Sequence, residues 1–139
     1  MATEQIVAYR SMRVAEDGLP APGATARTLG ARPGIDIVVD KSGMVRPGTG
    51  GVSVSPGDPR NLPRHRRPPE FGGLGRDPVW RIRTSDLGPE LAYEPDPRNP
   101  SGHGFVEPAY DMPYEAFQAA LEATRDRWEL VDPAARSST

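Results

Sequence analysis

The chain has 139 residues, which suits one domain, and its 19 acidic and 17 basic residues leave a formal net charge of −2. It contains no cysteine and two histidines, which excludes disulfides, a thiolate nucleophile and a cysteine zinc site and argues against a bound metal. No apolar run reaches the length of a membrane span and no signal-peptide core follows the start, so we expect a cytoplasmic protein with no membrane partner, exported only by a route that needs no cleaved leader.

The apolar residues are sparse and fall into short periodic segments, which predicts an α+β domain rich in loops. Residues 5–12 alternate between two faces, with Arg10 on one face and Tyr9 on the other, and predict the first strand. Residues 35–40 form a short β-branched run that predicts a buried strand. After a turn, residues 44–46 are expected to pair back on it as a hairpin.

Residues 49–55 read Thr-Gly-Gly-Val-Ser-Val-Ser and predict a strand that opens on two glycines. Successive side chains of a strand point to opposite faces, so Ser53 and Ser55 lie on one face and the valines on the other. Gly50 and Gly51 are expected to let a ligand approach the backbone closely. The segment is therefore a candidate cradle for a polar cofactor, and the alternative is an edge strand whose serines face water.

The middle of the chain is predicted as one long loop followed by three short strands. Residues 56–78 hold six prolines, and a loop of this length in a small domain indicates either function or mobility. The predicted strands are 79–83, 91–93 and 103–107. In the last of them, His103 and Glu107 share a face.

One long helix is predicted near the end of the chain. Asp111 suits the N-cap and Pro113 the first turn. Side chains from Tyr114 to Val131 recur at steps of three and four and share one face, which is typical of a helix packed on a sheet. Such a helix would span roughly 30 Å. Pro133 is expected to end this helix. Residues 133–139 are expected to form a flexible tail.

Basic residues are concentrated in the long loop. All but one of them in the chain are arginines, and four surround His65: Arg60, Arg64, Arg66 and Arg67. Planar guanidinium donors suit phosphate, so this group predicts a site for a phosphate of a cofactor or of a nucleic acid, with a solvated loop as the alternative. Residues 72–76 imitate part of a dinucleotide fingerprint, but no strand precedes them and no amphipathic helix follows, which excludes a Rossmann interpretation.

Several of these segments, taken in order, resemble a known family. They are Tyr9-Arg10, Pro33 to Val38, Thr49 to Val54, His103 to Pro108, Met112 and the helix that ends at Trp128. This order resembles the type six exported effector two family, small antibacterial toxins delivered by type VI secretion with an ADP-ribosyltransferase-like fold. The resemblance implies a clefted core of two small, roughly perpendicular sheets with flanking helices, and NAD as the substrate in the cleft.

The resemblance also implies roles for individual residues. Arg10 would bind the cofactor, with Tyr9 packing or bonding nearby. Ser53 matches the functional serine of the toxins and His103 their histidine. The glycines and the second serine of the 49–55 strand would complete the cofactor site. Threonine can precede the functional serine in the family, and Val52 stands there in this chain.

The chemistry of NAD cleavage sets what such residues must do. Nicotinamide leaves as a neutral ring, so the protein must bind, orient and shield charge more than transfer protons. Arg10 suits a pyrophosphate because its fork engages two oxygens, and its alternative is a salt bridge to Asp36. Glu107 is a candidate general base or ribose anchor, and its alternative is a capping or surface group. His103 has loop backbone as its alternative partner.

The sequence thus predicts one toxin domain over residues 1–139 that uses NAD, first as an ADP-ribosyltransferase acting on an unknown macromolecular acceptor. NAD hydrolysis is a second hypothesis within the same chemistry. A third is a non-catalytic module that binds nucleic acid through Arg60–Arg67. A toxin active in the cytoplasm implies a cognate immunity protein or antitoxin, which we expect to occlude the cleft or its rim.

Overall fold

The architecture is a six-stranded antiparallel sheet, a two-stranded antiparallel sheet and one α-helix, as described for residues 6–132 by a computed structural model. The elements are β1 (Val7–Ser11), β2 (Met44–Val45), β3 (Val52–Pro56), β4 (Val79–Arg83), β5 (Leu91–Pro95), β6 (Gly104–Pro108), β7 (Met112–Pro113), α1 (Tyr114–Glu122) and β8 (Glu129–Leu130). The large sheet has the order β5-β6-β3-β1-β4-β8, and β2 pairs with β7. The α+β class is confirmed. The finer expectation of two small, roughly perpendicular sheets stays a prediction; β3 joins the two halves of the large sheet, pairing with β6 through residues 52–54 and with β1 through residues 55 and 56.

The centre of the large sheet is unevenly paired. β1 pairs with β4 over five residue pairs, from Val7–Arg83 to Ser11–Val79. On its other side β1 pairs with β3 only at Ala8–Pro56 and Tyr9–Ser55. Past Tyr9 the β1–β3 ladder stops, so the sheet has a gap between two of its central strands.

The main apolar cluster lies between the sheet and α1. Alternation along the strands places Ala8, Val54 and Trp80 in it, and the helix contributes Phe117 and Leu121. The predicted strand at 79–83 is confirmed by this pattern, since Trp80 and Ile82 are buried while the arginines between and after them are exposed. No helix within residues 6–132 combines the length and the apolar character that crossing a bilayer requires.

The prediction of one long C-terminal helix is wrong. α1 covers nine residues and ends at Glu122. The Thr124 hydroxyl donates to the Leu121 carbonyl at 2.6 Å, and Trp128 Nε1 donates to that hydroxyl at 3.0 Å. These two linked hydrogen bonds of side chains compete with the backbone hydrogen bonds that would continue the helix. Trp128 is therefore buried, 4% exposed, by a turn of the chain and the β8 strand, and the expected tail, 133–139, lies outside the described residues.

The start of the helix and the predicted hairpin also differ from expectation. Pro113 occupies the N-cap position, and Asp111 instead pairs with Arg46. β2 pairs with β7, and its one backbone hydrogen bond to residues 35–40 among those described is the turn contact from the amide of Asp40 to the carbonyl of Met44, at 3.0 Å. Those residues form no buried strand: Ile35 is 71% exposed, because the amides of 35 and 36 both turn back to the carbonyl of Arg32.

The loop over residues 56–78 is packed. It contains two 3-10 turns, Pro59–Asn61 and Pro69–Phe71. Leu62 and Phe71 are buried in a second apolar cluster, together with Tyr9 of β1 and residues from β4 and the β8 end. The loop is thereby fixed beside the gap between β1 and β3.

Candidate functional site

A cleft of about 240 Å³ opens where β1 and β3 lose their pairing. Four of the residues predicted for the site line it: Arg10, Ser53, Ser55 and His103. One wall comes from the segment after β1 and the other from the 56–78 loop, which contributes His65 and Arg66. The structure therefore brings the predicted arginine, serines and histidine into one depression of the surface.

Arg10 spans the gap in the sheet. Its guanidinium donates to the carbonyl of Ser53 at 2.8 Å and to the carbonyl of Thr28 at 2.8 Å. Two carbonyls just before Thr28 accept at 3.3 and 3.4 Å. These bonds replace the backbone ladder that β1 and β3 lack at this point. They also fix the planar fork at the floor of the cleft.

The charge on Arg10 has no bonded carboxylate among the described residues. The anticipated partner Asp36 accepts two bonds of 2.9 Å from Arg32 instead. Arg10 is 7% exposed, and burial, followed by repulsion from Arg66, lowers its pKa to about 10. Its Nε is buried without a hydrogen-bond partner. A desolvated cation with an unused donor favours an anionic ligand.

His103 is held by a carboxylate that the sequence did not reveal. Its Nδ1 lies 2.8 Å from Asp96 Oδ2, and the His103 ring packs edge-on against Phe105 with centroids 4.8 Å apart. The hydrogen bond to the imidazole lowers the pKa of Asp96. An ionised carboxylate only accepts, so Nδ1 is the donor in this hydrogen bond and Nε2 is the ring nitrogen that remains for another partner.

The hairpin between β5 and β6 creates this pair. The amide of Asp96 donates to the carbonyl of His103 at 3.0 Å, which closes the loop between the strands. The register of the hairpin, once known, would have identified Asp96. The prolines, Asn99 and Gly102 between the two strands indicate a turn, but they do not fix the register that places Asp96 beside His103.

A comparison with known protein families decides the identity. A profile of the Tse2 ADP-ribosyltransferase toxins matches residues 10–128, most of the chain. The chain belongs to this family. No curated protein and no solved structure matches it significantly. The resemblance inferred from the ordered segments is thus confirmed at the level of the family.

Glu107 lies away from the cleft of this toxin. It follows His103 by four residues on the same strand face, about 13 Å along β6. Its carboxylate is buried and accepts from the amide of Gly48 at 2.8 Å. Burial raises the pKa of Glu107. Its position therefore matches the capping alternative and not a base or ribose anchor in the cleft.

Gly50 and Gly51 serve close backbone packing within the toxin. A Cβ on Gly50, whose φ is +119°, would lie 2.2 Å from the carbonyl oxygen of Asp36. A Cβ on Gly51 would lie 2.2 Å from the carbonyl oxygen of Val106. The close approach expected of a ligand is made by the chain itself, and neither glycine lines the cleft.

Tyr9 also lies outside the cleft. It neighbours Arg10 on β1, so its side chain points to the opposite face, where it packs in the cluster that holds Leu62 and Phe71. Of the two roles anticipated for Tyr9, packing and bonding near the cofactor, this position agrees with packing alone.

The arginines of the 56–78 loop of the toxin separate into two groups. Arg66 is half-buried, lines the cleft and donates to the carbonyl of Ala26. Arg60 and Arg64 are exposed. Within residues 6–132, no group of three or more His, Asp or Glu side chains is arranged to hold a metal ion.

Proposed function

We propose that this toxin cleaves NAD in the cleft between β1 and β3 and transfers the ADP-ribose to an intracellular acceptor. One observation carries the proposal. A buried guanidinium without a carboxylate partner lies in the same cleft as a serine pair and a carboxylate-held histidine, in a member of an ADP-ribosyltransferase toxin family.

The cleft suits the nicotinamide half of NAD. Small-molecule sites usually begin at about 300 Å³, so a cleft of about 240 Å³ accommodates part of a dinucleotide. Arg10 lines the cleft and supplies a desolvated positive charge for a phosphate. Arg66 adds a second cation at the opposite wall. These features support binding of a nucleotide phosphate.

The serines are placed to orient the sugar. Ser53 is exposed to the cleft, whereas Ser55 is buried beside it. We assign the Ser53 hydroxyl to the ribose next to nicotinamide, because it lies on the strand whose carbonyl Arg10 holds. Fixing the ribose in this way lowers the entropic part of the barrier.

His103 acts as the base for the acceptor in this proposal. The bond between the nicotinamide nitrogen and the ribose carbon breaks, and nicotinamide leaves with the electron pair. A nucleophilic atom of the acceptor bonds to the same carbon and gives its proton to Nε2 of His103. Asp96 then stabilises the imidazolium through its bond to Nδ1.

Hydrolysis of NAD is the second candidate function. His103 is only half-buried at the cleft, so water can reach the nitrogen that would accept a proton from a macromolecule. The two functions share every residue assigned above and differ in the acceptor alone.

The partners and location of the toxin are also proposals. The family supports action inside a target cell, which requires delivery to a bacterial cytoplasm. Such a toxin needs a cognate immunity protein, and we assign its binding surface to the rim of the cleft.

The experiment is expression of the toxin in bacterial cytoplasm beside Arg10→Ala, Ser53→Ala and the control Arg83→Ala. Arg83 is an exposed arginine on β4, outside the cleft. We expect growth arrest and nicotinamide release from the parent and the control but not from the first two variants. Free ADP-ribose against labelled macromolecule separates hydrolysis from transfer. If both cleft variants are folded and as toxic as the parent, the site assignment is wrong.

A further inference from the structure

A second cleft, of about 130 Å³, adjoins the first. The two share three lining residues: Ser11, His65 and Arg66. A ligand that fills the first cleft can therefore continue into the second without leaving the surface of the protein.

The second cleft carries an excess of positive charge. Three arginines line it, Arg27, Arg66 and Arg76, against one carboxylate, Asp77. Both oxygens of Asp77 accept from Arg27 at 2.7 Å, so that pair is neutral. Arg66 and Arg76 form no ion pair among the described residues 6–132. Two guanidinium groups are left for an anionic ligand.

The wall of the second cleft is closely packed. A Cβ on Gly73 or Gly75 would lie 2.2 Å and 2.5 Å from the carbonyl oxygens of Arg67 and Arg66, respectively. The amide of Leu74, between the glycines, donates to the carbonyl of Arg64 at 2.9 Å. The glycine-rich segment therefore packs flat against the turn that presents Arg66.

Arg66 itself is placed for an anion. Its amide and that of Arg67 both donate to the carbonyl of Pro63, at 2.8 and 3.0 Å, which fixes the turn. Partial burial, opposed by Asp77, lowers the pKa of Arg66. Leu74 lies beside it with its side chain 70% exposed and offers an apolar contact at the edge of the cleft.

We propose that this second cleft is a phosphate-binding subsite for the adenosine-diphosphate half of the dinucleotide, held by Arg66 and Arg76. The inference rests on the proposed function, which places the nicotinamide half in the first cleft. Because the first cleft is too small for the whole dinucleotide, its other half needs a contiguous site of matching charge. Leu74 lies where it can contact the adenosine.

The test is calorimetric titration of the purified full-length toxin with ADP and, separately, with nicotinamide mononucleotide. The variants are Arg76→Gln and the control Arg83→Gln. A hydrogen bond to a charged group contributes about 1.5–3 kcal/mol, so Arg76→Gln should weaken ADP binding about 10- to 100-fold. Binding of nicotinamide mononucleotide should stay unchanged, and Arg83→Gln should alter neither. Equal losses for both ligands, or none for ADP, overturn the assignment.

Failure of the subsite and failure of the function give different results. If the parent releases nicotinamide from NAD but does not bind ADP, the subsite is wrong and the function stands. If ADP binds through Arg76 but no nicotinamide is released, the function is wrong and the phosphate site stands. If Arg76→Gln reduces labelling of an acceptor while the KM for NAD stays constant, the cleft serves the acceptor, which also overturns the assignment.

Discussion

Arg10 offers the sharpest test of the site, because its contributions to folding nearly cancel. Its two bonds of 2.8 Å to carbonyls contribute about 3–6 kcal/mol together, at about 1.5–3 kcal/mol for each bond to a charged group. Burial opposes them. A pKa lowered from 12.5 to about 10 corresponds to about 3 kcal/mol against the charged form at neutral pH. The balance left for stability is about 0–3 kcal/mol.

We therefore expect Arg10→Met to fold but to lose its reaction. The free energy of unfolding in urea should fall by no more than about 3 kcal/mol, which is the balance between these hydrogen bonds and the burial of the charge. Loss of a charge-assisted contact to phosphate is expected to cost about 3 kcal/mol in the transition state, or about 100-fold in nicotinamide release. Arg83→Met is the matched control and should change neither measurement.

Two outcomes would refute this reasoning. A folded Arg10→Met variant that releases nicotinamide within about threefold of the parent rate would show that Arg10 does not bind the substrate. A loss of more than about 5 kcal/mol in unfolding free energy would show that the guanidinium is chiefly a structural clip between strands, and that the cancellation is wrong.

Three further substitutions test neighbouring features. Asp96→Asn should lower kcat about 10- to 100-fold with little change in KM, because the imidazolium that His103 forms in the reaction loses the negative charge that stabilises it. Glu107→Gln keeps an acceptor for the amide of Gly48 and should leave nicotinamide release unchanged. Burial raises the pKa of Glu107. The contribution of its protonated carboxyl to folding stability is therefore complete below about pH 4.3 and is lost as the pH rises through the folded-state pKa. At pH 8 Glu107→Gln should accordingly unfold at a higher urea concentration than the parent. Gly51→Ala places a methyl group 2.2 Å from a carbonyl oxygen and should reduce the unfolding free energy by about 1–3 kcal/mol.

Each of these has a contrary result. An Asp96→Asn enzyme with the kcat of the parent would show that the carboxylate has no part in the reaction. Loss of turnover in a stable Glu107→Gln variant would restore the glutamate to the reaction. A Gly51→Ala protein as stable as the parent, measured by its Tm, would mean that the facing strand yields more than the close contact suggests.

The strands that form the cleft could be predicted because their patterns are local. Alternation placed strands at 5–12, 79–83 and 103–107 and put the two serines of 49–55 on one face, and the structure has strands in all four segments. Arg10 was a candidate site residue because a charge in the middle of a strand needs a partner or a ligand. Its meeting with His103 followed from the resemblance, since no local pattern joins positions so far apart.

The remainder depends on contacts between distant segments. The helix ends early because the Thr124 hydroxyl donates to the Leu121 carbonyl and accepts from the indole N–H of Trp128. The sequence predicted a longer helix because Leu121, Thr124 and Trp128 are also spaced as on one helix face. The glycines at 50 and 51 were explained by a ligand because the carbonyls that they approach belong to other parts of the chain. Asp96 was missed because its relation to His103 depends on the register of a hairpin.

The short ladder between β1 and β3 has a consequence for how this toxin can change over time. Most sheets can gain resistance to heat by extending the hydrogen bonding of adjacent strands. Here each additional pair past Tyr9–Ser55 would close the cleft and take the Ser53 carbonyl away from Arg10. A mutation that raises thermal stability by adding strand pairing here is therefore expected to abolish the toxic activity. The activity thus limits how stable this part of the sheet can become.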